Sequence, residues 1–226
     1  MSIVKQLPNF ITCLNLLSGC LAVLCGAEGN FSAAANWVIA AATFDFLDGF
    51  IARLLHATSP VGKDLDSLAD LISFGLAPGM VVYRLLDGVT DTPLPYLAFL
   101  IPIFSALRLA RFNNDNRQVE SFIGLPVPAH ALFWTSAVCA LTPLAEAHAS
   151  FFLFSVLPCL VLTSSLLLSS LPMFSLKVKT FTFKGNEGRY FLLIAAIFFI
   201  FLWGRLGIAG SIFLYITFNL FRHLLP

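Results

Sequence analysis

The chain has 226 residues, of which 58% are hydrophobic and only 11% are charged, and its formal net charge is +1. A soluble domain has about 25% charged residues, so this composition excludes one and predicts an integral membrane protein. The small net charge and the lack of a basic tract also argue against nucleic-acid binding.

Apolar runs of the length needed to cross a bilayer predict an all-α bundle of about eight transmembrane helices. The predicted spans are about 8–26, 31–55, 63–86, 94–112, 127–146, 149–171, 190–204 and 207–223. The first run follows a lysine, as in a signal peptide, but no cleavage site follows it. We therefore expect a retained first helix.

Three polar residues, Asn9, Thr12 and Asn15, lie at the start of the first span. Polar residues inside a membrane helix can hydrogen-bond to neighbouring helices, and they can also face a bound ligand. Both interpretations remain open at this point.

Four aspartates cluster around the loop between the second and third spans. Asp45 and Asp48 lie on one face of the second helix, and Asp66 and Asp70 share a face of the third. The linker contains Ser-Pro and Gly, which favour a turn, so the two pairs are expected to face each other. Ionisable residues inside a membrane indicate a functional site.

Divalent metal ions are the expected counter-charge for these carboxylates. Bare repulsion between four buried anions is prohibitive, and hard cations such as Mg²⁺ prefer oxygen ligands. Gly49 and Gly62 leave room beside the acids, and Arg53 has the planar geometry that suits phosphate. The pattern predicts a two-metal site for a diphosphate.

Two further features lie in the third and fourth spans. Pro78 is expected to kink the third helix, while Gly75 and Gly79 allow close backbone approach. Arg108 and Arg111 share a face of the fourth helix. We interpret them either as topological anchors or as a pair that binds an anionic group of a substrate.

The stretch D-x2-D-G-x2-A-R-x8-G-x3-D-x3-D, residues 45–70, is similar to the signature of the CDP-alcohol phosphotransferase family. Outside it, residues 73–79, 107–113, 122–129 and 171–177 resemble the serine-using branch, the integral-membrane phosphatidylserine synthases. The resemblance covers about residues 8–180. An extra helix pair at about 188–223 would complete a single transmembrane catalytic domain, 1–226.

The resemblance implies transfer of a phosphatidyl group from CDP-diacylglycerol to L-serine, giving phosphatidylserine and CMP. It implies Mg²⁺ or Mn²⁺, two ions, held by Asp45, Asp48, Asp66 and Asp70, with Asp70 also the general base. The acceptor would contact Arg108 and Arg111. The expected nucleotide-binding residues are Asn9, Thr12, Gly49, Ala52, Arg53, Ser59 and Gly62.

The distribution of Lys and Arg predicts the orientation in the cytoplasmic membrane. With a cytoplasmic N-terminus, both termini and the active site lie on the cytoplasmic side, and the far side receives only Arg84 and Arg205. The cytoplasmic side then receives Lys5, Arg53, Lys63, Arg108, Arg111, Arg117, Lys177, Lys179, Lys184, Arg189 and Arg222. The segment 170–189 is expected to lie along anionic headgroups, and a homodimer is left open.

Two alternatives remain at this stage. The first keeps the reaction but changes the acceptor to glycerol 3-phosphate, inositol phosphate or choline, because family members share the core and differ in the alcohol. The second is a cation transporter that uses the acidic hairpin as an ion path. A transporter does not explain why Gly49, Arg53 and Gly62 stand at fixed spacing.

Overall fold

The computed structural model of the chain describes residues 6–114, 122–173 and 186–224, and these residues are almost entirely helical. The helices are α1 Leu7–Ala27, α2 Phe31–Leu54, α3 Pro60–Asp70, α4 Ala77–Asp87, α5 Leu100–Asn114, α6 Val127–Ala147, α7 Ala149–Leu167, α8 Glu187–Trp203 and α9 Arg205–Leu224. A π-helical segment, Leu71–Leu76, joins α3 to α4, and a 3₁₀ segment, Leu94–Phe99, leads into α5.

Each predicted span has a helical counterpart, so the all-α bundle is confirmed. The third span is one continuous helical stretch, Pro60–Asp87, and five stretches are long and apolar enough to cross a membrane. These five are Leu7–Ala27, Pro60–Asp87, Leu94–Asn114, Val127–Ala145 and Ala149–Leu167. The remaining three counterparts are α2, which carries Asp45 and Asp48, and the C-terminal pair α8 and α9.

Several predicted boundaries are wrong by a few residues. The third span begins at Pro60 rather than 63, because Ser59 caps it by accepting a hydrogen bond from the Gly62 amide at 3.0 Å. The helix of the sixth span, α7, ends at Leu167 rather than 171. The chain beyond it forms a two-residue antiparallel ladder, in which Pro172–Met173 pairs with Phe122–Ile123.

The segment before Pro78, Leu71–Leu76, is a π-helical turn, and the kink expected at Pro78 stays a prediction. Pro78 lies in the first turn of α4, where a residue without an amide hydrogen is tolerated. Gly75 and Gly79 do permit close approach to α5. A Cβ on Gly75 would lie 3.3 Å from Ser105 Cβ, and one on Gly79 would lie 2.9 Å from Pro102 Cδ.

The core consists of two apolar clusters between the helices. One contains Val81, Leu86 and Trp134, and the other contains Phe74 and Leu125. Large apolar side chains also cover the outside of the bundle, and Phe201 on α8 is 86% exposed. This is the arrangement expected when lipid, rather than water, surrounds the helices.

The C-terminal pair packs on the rest of the bundle mainly through α9 and α6. Arg205, at the start of α9, donates hydrogen bonds to Asn36 Oδ1 at 3.0 Å and to Cys139 Sγ at 2.8 Å, and also contacts Ser32 Oγ. One guanidinium therefore links α9 to both α2 and α6. The predicted headgroup-binding segment falls largely on residues 174–185, which lie outside the described residues.

Candidate active site

The hairpin of α2 and α3 brings three of the four aspartates together. One carboxylate oxygen each from Asp45, Asp48 and Asp66 lies within 4.8 Å of the other two. The turn between the helices includes His56 with a φ of 48° and ends at the Ser59 cap. The spacing of the acids on each helix places them on the facing sides of this hairpin.

No cationic side chain neutralises this cluster among the residues that the structure describes. The ion pair between Arg84 and Asp87, at 3.6 Å, lies away from the cluster. Asp48 Oδ2 and Asp66 Oδ1 are buried and have no hydrogen-bond partner. Buried anionic oxygens need a positive partner to offset the cost of burying their charge. Because all the available ligand atoms are oxygens, the cluster fits a hard divalent cation.

Asp70 lies one turn further into the bundle and has different surroundings. It is 8% exposed, and its Oδ1 accepts a hydrogen bond from Asn15 Nδ2 at 3.2 Å. Asp45 and Asp66 are its strongest charged neighbours. Asp70 is therefore next to the three-acid cluster without belonging to it.

A cavity of about 220 Å³ opens beside the cluster, and Asp48 and Asp66 form part of its wall. All seven residues predicted for nucleotide binding line it: Asn9, Thr12, Gly49, Ala52, Arg53, Ser59 and Gly62. The sequence analysis missed four further lining residues: Pro8, Ala57, Thr58 and Lys63. Pro8 lies at the start of α1, and Ala57 and Thr58 lie in the loop between α2 and α3. These three residues are not fixed positions of the motif, so the motif did not indicate them.

The two glycines of the motif leave space in different ways. A Cβ on Gly62 would lie 3.0 Å from both Asn9 Oδ1 and Ser59 Oγ, so a side chain there would crowd the cavity wall. The nearest atom to a Cβ on Gly49 is Arg53 Nη2 at 4.0 Å, so that position is open. Lys63 is turned away from the acids, since its Nζ donates to the Asn113 carbonyl at 2.8 Å.

The two arginines proposed for acceptor binding have unlike surroundings. Arg108 is 8% exposed, and its Nε and Nη2 atoms are buried without a hydrogen-bond partner. Arg111 is exposed, and its Nη1 donates to the Leu168 carbonyl at 3.5 Å. Tyr215 of α9 lies near Arg108. Arg108 thus has free donors inside the bundle, whereas Arg111 contacts the end of α7.

His130 lies away from this chemistry. It is fully buried, its Nε2 is 3.1 Å from Thr163 Oγ1, and Trp134 Nε1 donates to it at 3.1 Å. These contacts join α6 to α7, which is a packing role.

The fold and the site define a class: helical membrane proteins with a cluster of carboxylates beside a cavity suited to a phosphorylated ligand. The sequence model described as CDP-alcohol phosphatidyltransferase matches residues 5–170, and the chain belongs to that family. The match includes the acidic hairpin and ends before α8, so the C-terminal pair lies outside it.

Three curated relatives share the name CDP-diacylglycerol–serine O-phosphatidyltransferase. The protein of Mycobacterium leprae is 35% identical over 202 residues, covering 85% of this chain and 65% of the relative. That of Bacillus subtilis is 36% identical over 128 residues, covering 55% and 70%. That of Methanocaldococcus jannaschii is 38% identical over 126 residues, covering 56% and 57%. The chain therefore spans between 57% and 70% of the length of these relatives.

Proposed function

We propose that the protein transfers the phosphatidyl group of CDP-diacylglycerol to the hydroxyl of L-serine, giving phosphatidylserine and CMP. The observation that carries the proposal is the three-acid cluster, whose buried oxygens have no partner, on the wall of a cavity that contains Arg53. The choice of serine rests on similarity to relatives whose names state that acceptor.

Different residues are proposed to bind the nucleotide, the metal and serine. The cavity residues bind the CDP part, and Arg53 pairs with its phosphates. Asp45, Asp48 and Asp66 would hold the metal, with Asp70 as a further ligand. We propose two ions, Mg²⁺ or Mn²⁺, which supply charge stabilisation at the diphosphate oxygens. Arg108, whose Nε and Nη2 donors are free, binds the carboxylate of serine.

In the transfer itself, the serine hydroxyl oxygen forms a bond to the β-phosphorus of CDP-diacylglycerol. The bond from that phosphorus to the oxygen of CMP breaks, and CMP leaves with the electron pair. Asp70 accepts the hydroxyl proton, because a serine hydroxyl is a poor nucleophile until a positioned base removes its proton.

The site is further proposed to lie just inside the cytoplasmic leaflet, with both termini cytoplasmic. Eleven of the 13 Lys and Arg residues fall on that side when the N-terminus is cytoplasmic. Asp45 lies eight residues before Arg53, or roughly 12 Å along the helix. This depth lets a soluble nucleotide and a lipid reach the same carboxylates.

An acceptor panel tests the proposal. Purified protein in detergent is given CDP-diacylglycerol and a divalent salt with L-serine, glycerol 3-phosphate, inositol phosphate or choline, and CMP release is measured. We expect release with serine, and very little from the Asp45→Asn variant. Faster release with another alcohol would overturn the choice of serine. Metal flux into vesicles without any CMP release would overturn the enzyme activity itself.

A further inference from the structure

Asn15 of α1 is fully buried, and its side-chain amide reaches Asp70 across the interface between α1 and α3. The Nδ2 donates to Asp70 Oδ1 at 3.2 Å. We infer that Asn15 is a positioning residue for Asp70, fixing the carboxylate that accepts the proton in the proposed transfer. The inference rests on the proposed function and adds a residue outside the acidic signature.

The π-helical segment packs closely against α1 beside Asn15. Ser73 Oγ donates to the Asn15 carbonyl oxygen at 3.0 Å, so the backbone of α1 is bonded to the segment that follows Asp70. One turn further along α1, a Cβ on Gly19 would lie 2.3 Å from Ser73 Oγ and 2.8 Å from Ser73 Cα. Glycine is therefore required at position 19 for the two backbones to approach this closely.

The chemistry of an amide suits this position. The Asn15 amide donates to one oxygen of Asp70, and this bond restricts rotation of the carboxylate. It carries no charge, so it orients Asp70 without forming an ion pair that would compete with the substrate proton. A Lys or Arg in its place would neutralise the carboxylate.

Packing alone does not account for this residue. Asn15 Oδ1 is buried and has no hydrogen-bond partner. An unpaired buried carbonyl oxygen is unfavourable, and an apolar side chain of similar size would avoid the cost. A residue that served only to join α1 to the π-helical segment would not need this amide, because the Ser73 bond goes to the backbone.

Two variants and a control separate positioning from packing. Asn15→Ala and Asn15→Leu remove the amide, whereas Ser73→Ala removes the neighbouring bond and leaves the amide in place. We expect kcat for CMP release to fall by about 10–100-fold in both Asn15 variants. The KM for CDP-diacylglycerol should stay near the wild-type value, and Ser73→Ala should keep near wild-type kcat. An equal loss of kcat in Ser73→Ala would overturn the inference.

A double-mutant cycle supplies the decisive measurement. If Asn15 acts through Asp70, then Asn15→Ala should add little to the loss caused by Asp70→Asn. The same fold-loss from Asn15→Ala in both backgrounds would overturn the positioning role. The wild-type protein is assayed with serine in the same series. If it shows no serine-dependent CMP release, the proposed function fails. If it does release CMP but Asn15→Ala causes the same fold-loss in both backgrounds, only the role of Asn15 is rejected.

Discussion

Asp45, Asp48 and Asp66 converge in the structure, and the first prediction concerns their joint role. Replacing Asp45 by Asn keeps the size of the side chain but removes one anionic ligand, so binding of the divalent ion should weaken and turnover should be nearly lost. Binding is measured by Mn²⁺ titration and turnover by CMP release. Asp64, which is exposed and off this face, provides the matched control as Asp64→Asn. Normal turnover of Asp45→Asn in the presence of a chelator would contradict the metal role.

Asp70 differs from the other three because it lies deeper and accepts a hydrogen bond from Asn15. As the general base, its replacement by Asn should reduce kcat by about 10²–10⁴-fold. Affinity for Mn²⁺ and for CDP-diacylglycerol should change much less, because the three-acid cluster is intact. Both affinities and turnover are measured on one preparation. Loss of metal binding in step with turnover would instead make Asp70 a ligand only.

Arg108 and Arg111 were predicted to act together, but their surroundings in the structure differ. Because Nε and Nη2 of Arg108 are free and buried, Arg108→Ala should raise the KM for serine by roughly tenfold or more, the value of a charged hydrogen bond. Arg111→Ala, the matched variant one turn away, should have a smaller effect because Arg111 is exposed. Steady-state kinetics with each substrate varied in turn provide the test. A change in protein yield alone, with both KM values unaltered, would identify the pair as topological anchors.

At the level of the helices, the acidic hairpin was predictable from the sequence and the π-helical segment was not. Carboxylates four residues apart must share a helix face, so the spacing around Asp66 and Asp70 fixes their direction. The π-helical turn at 71–76 lies against α1, where Ser73 meets Asn15 and Gly19, and a contact between residues so far apart in the chain leaves no local pattern in the sequence. For the same reason, the sequence left the role of Asn15 open between packing and ligand contact.

The docking of the C-terminal pair gives a prediction about stability. Arg205 bonds to groups on α2 and α6, and hydrogen bonds between membrane helices are worth about 0.6 kcal/mol each on average. Arg205→Ala should therefore lower the free energy of unfolding by roughly 1–2 kcal/mol. Thermal unfolding in detergent should show a lower Tm, while turnover per folded molecule is unchanged. Arg84→Ala, which removes only an exposed pair with Asp87, should leave the Tm unaltered; an equal shift in both would contradict the role of Arg205.

On the scale of the whole molecule, residues that the sequence assigns to binding gather at one end of the bundle. Asn9 near the start of α1, Arg53 near the end of α2 and Gly62 near the start of α3 line one cavity. Arg111, near the end of α5, contacts the chain just after α7. Since consecutive spans alternate in direction, these helix ends belong to the same side of the membrane. The excess of Lys and Arg at this end is what predicts that the side is cytoplasmic.

Cysteine labelling tests this orientation. In a variant whose five cysteines are replaced by alanine, one new cysteine is placed at an exposed position on each side, Asn114→Cys at the active-site end and Asp91→Cys at the other. In intact cells, a membrane-impermeant maleimide should label Asp91→Cys directly and Asn114→Cys only after the membrane is permeabilised. The reverse pattern would place the carboxylates on the outside, where cytoplasmic nucleotides do not reach them. Serine-dependent CMP release by both variants would show that the labelled protein is correctly folded.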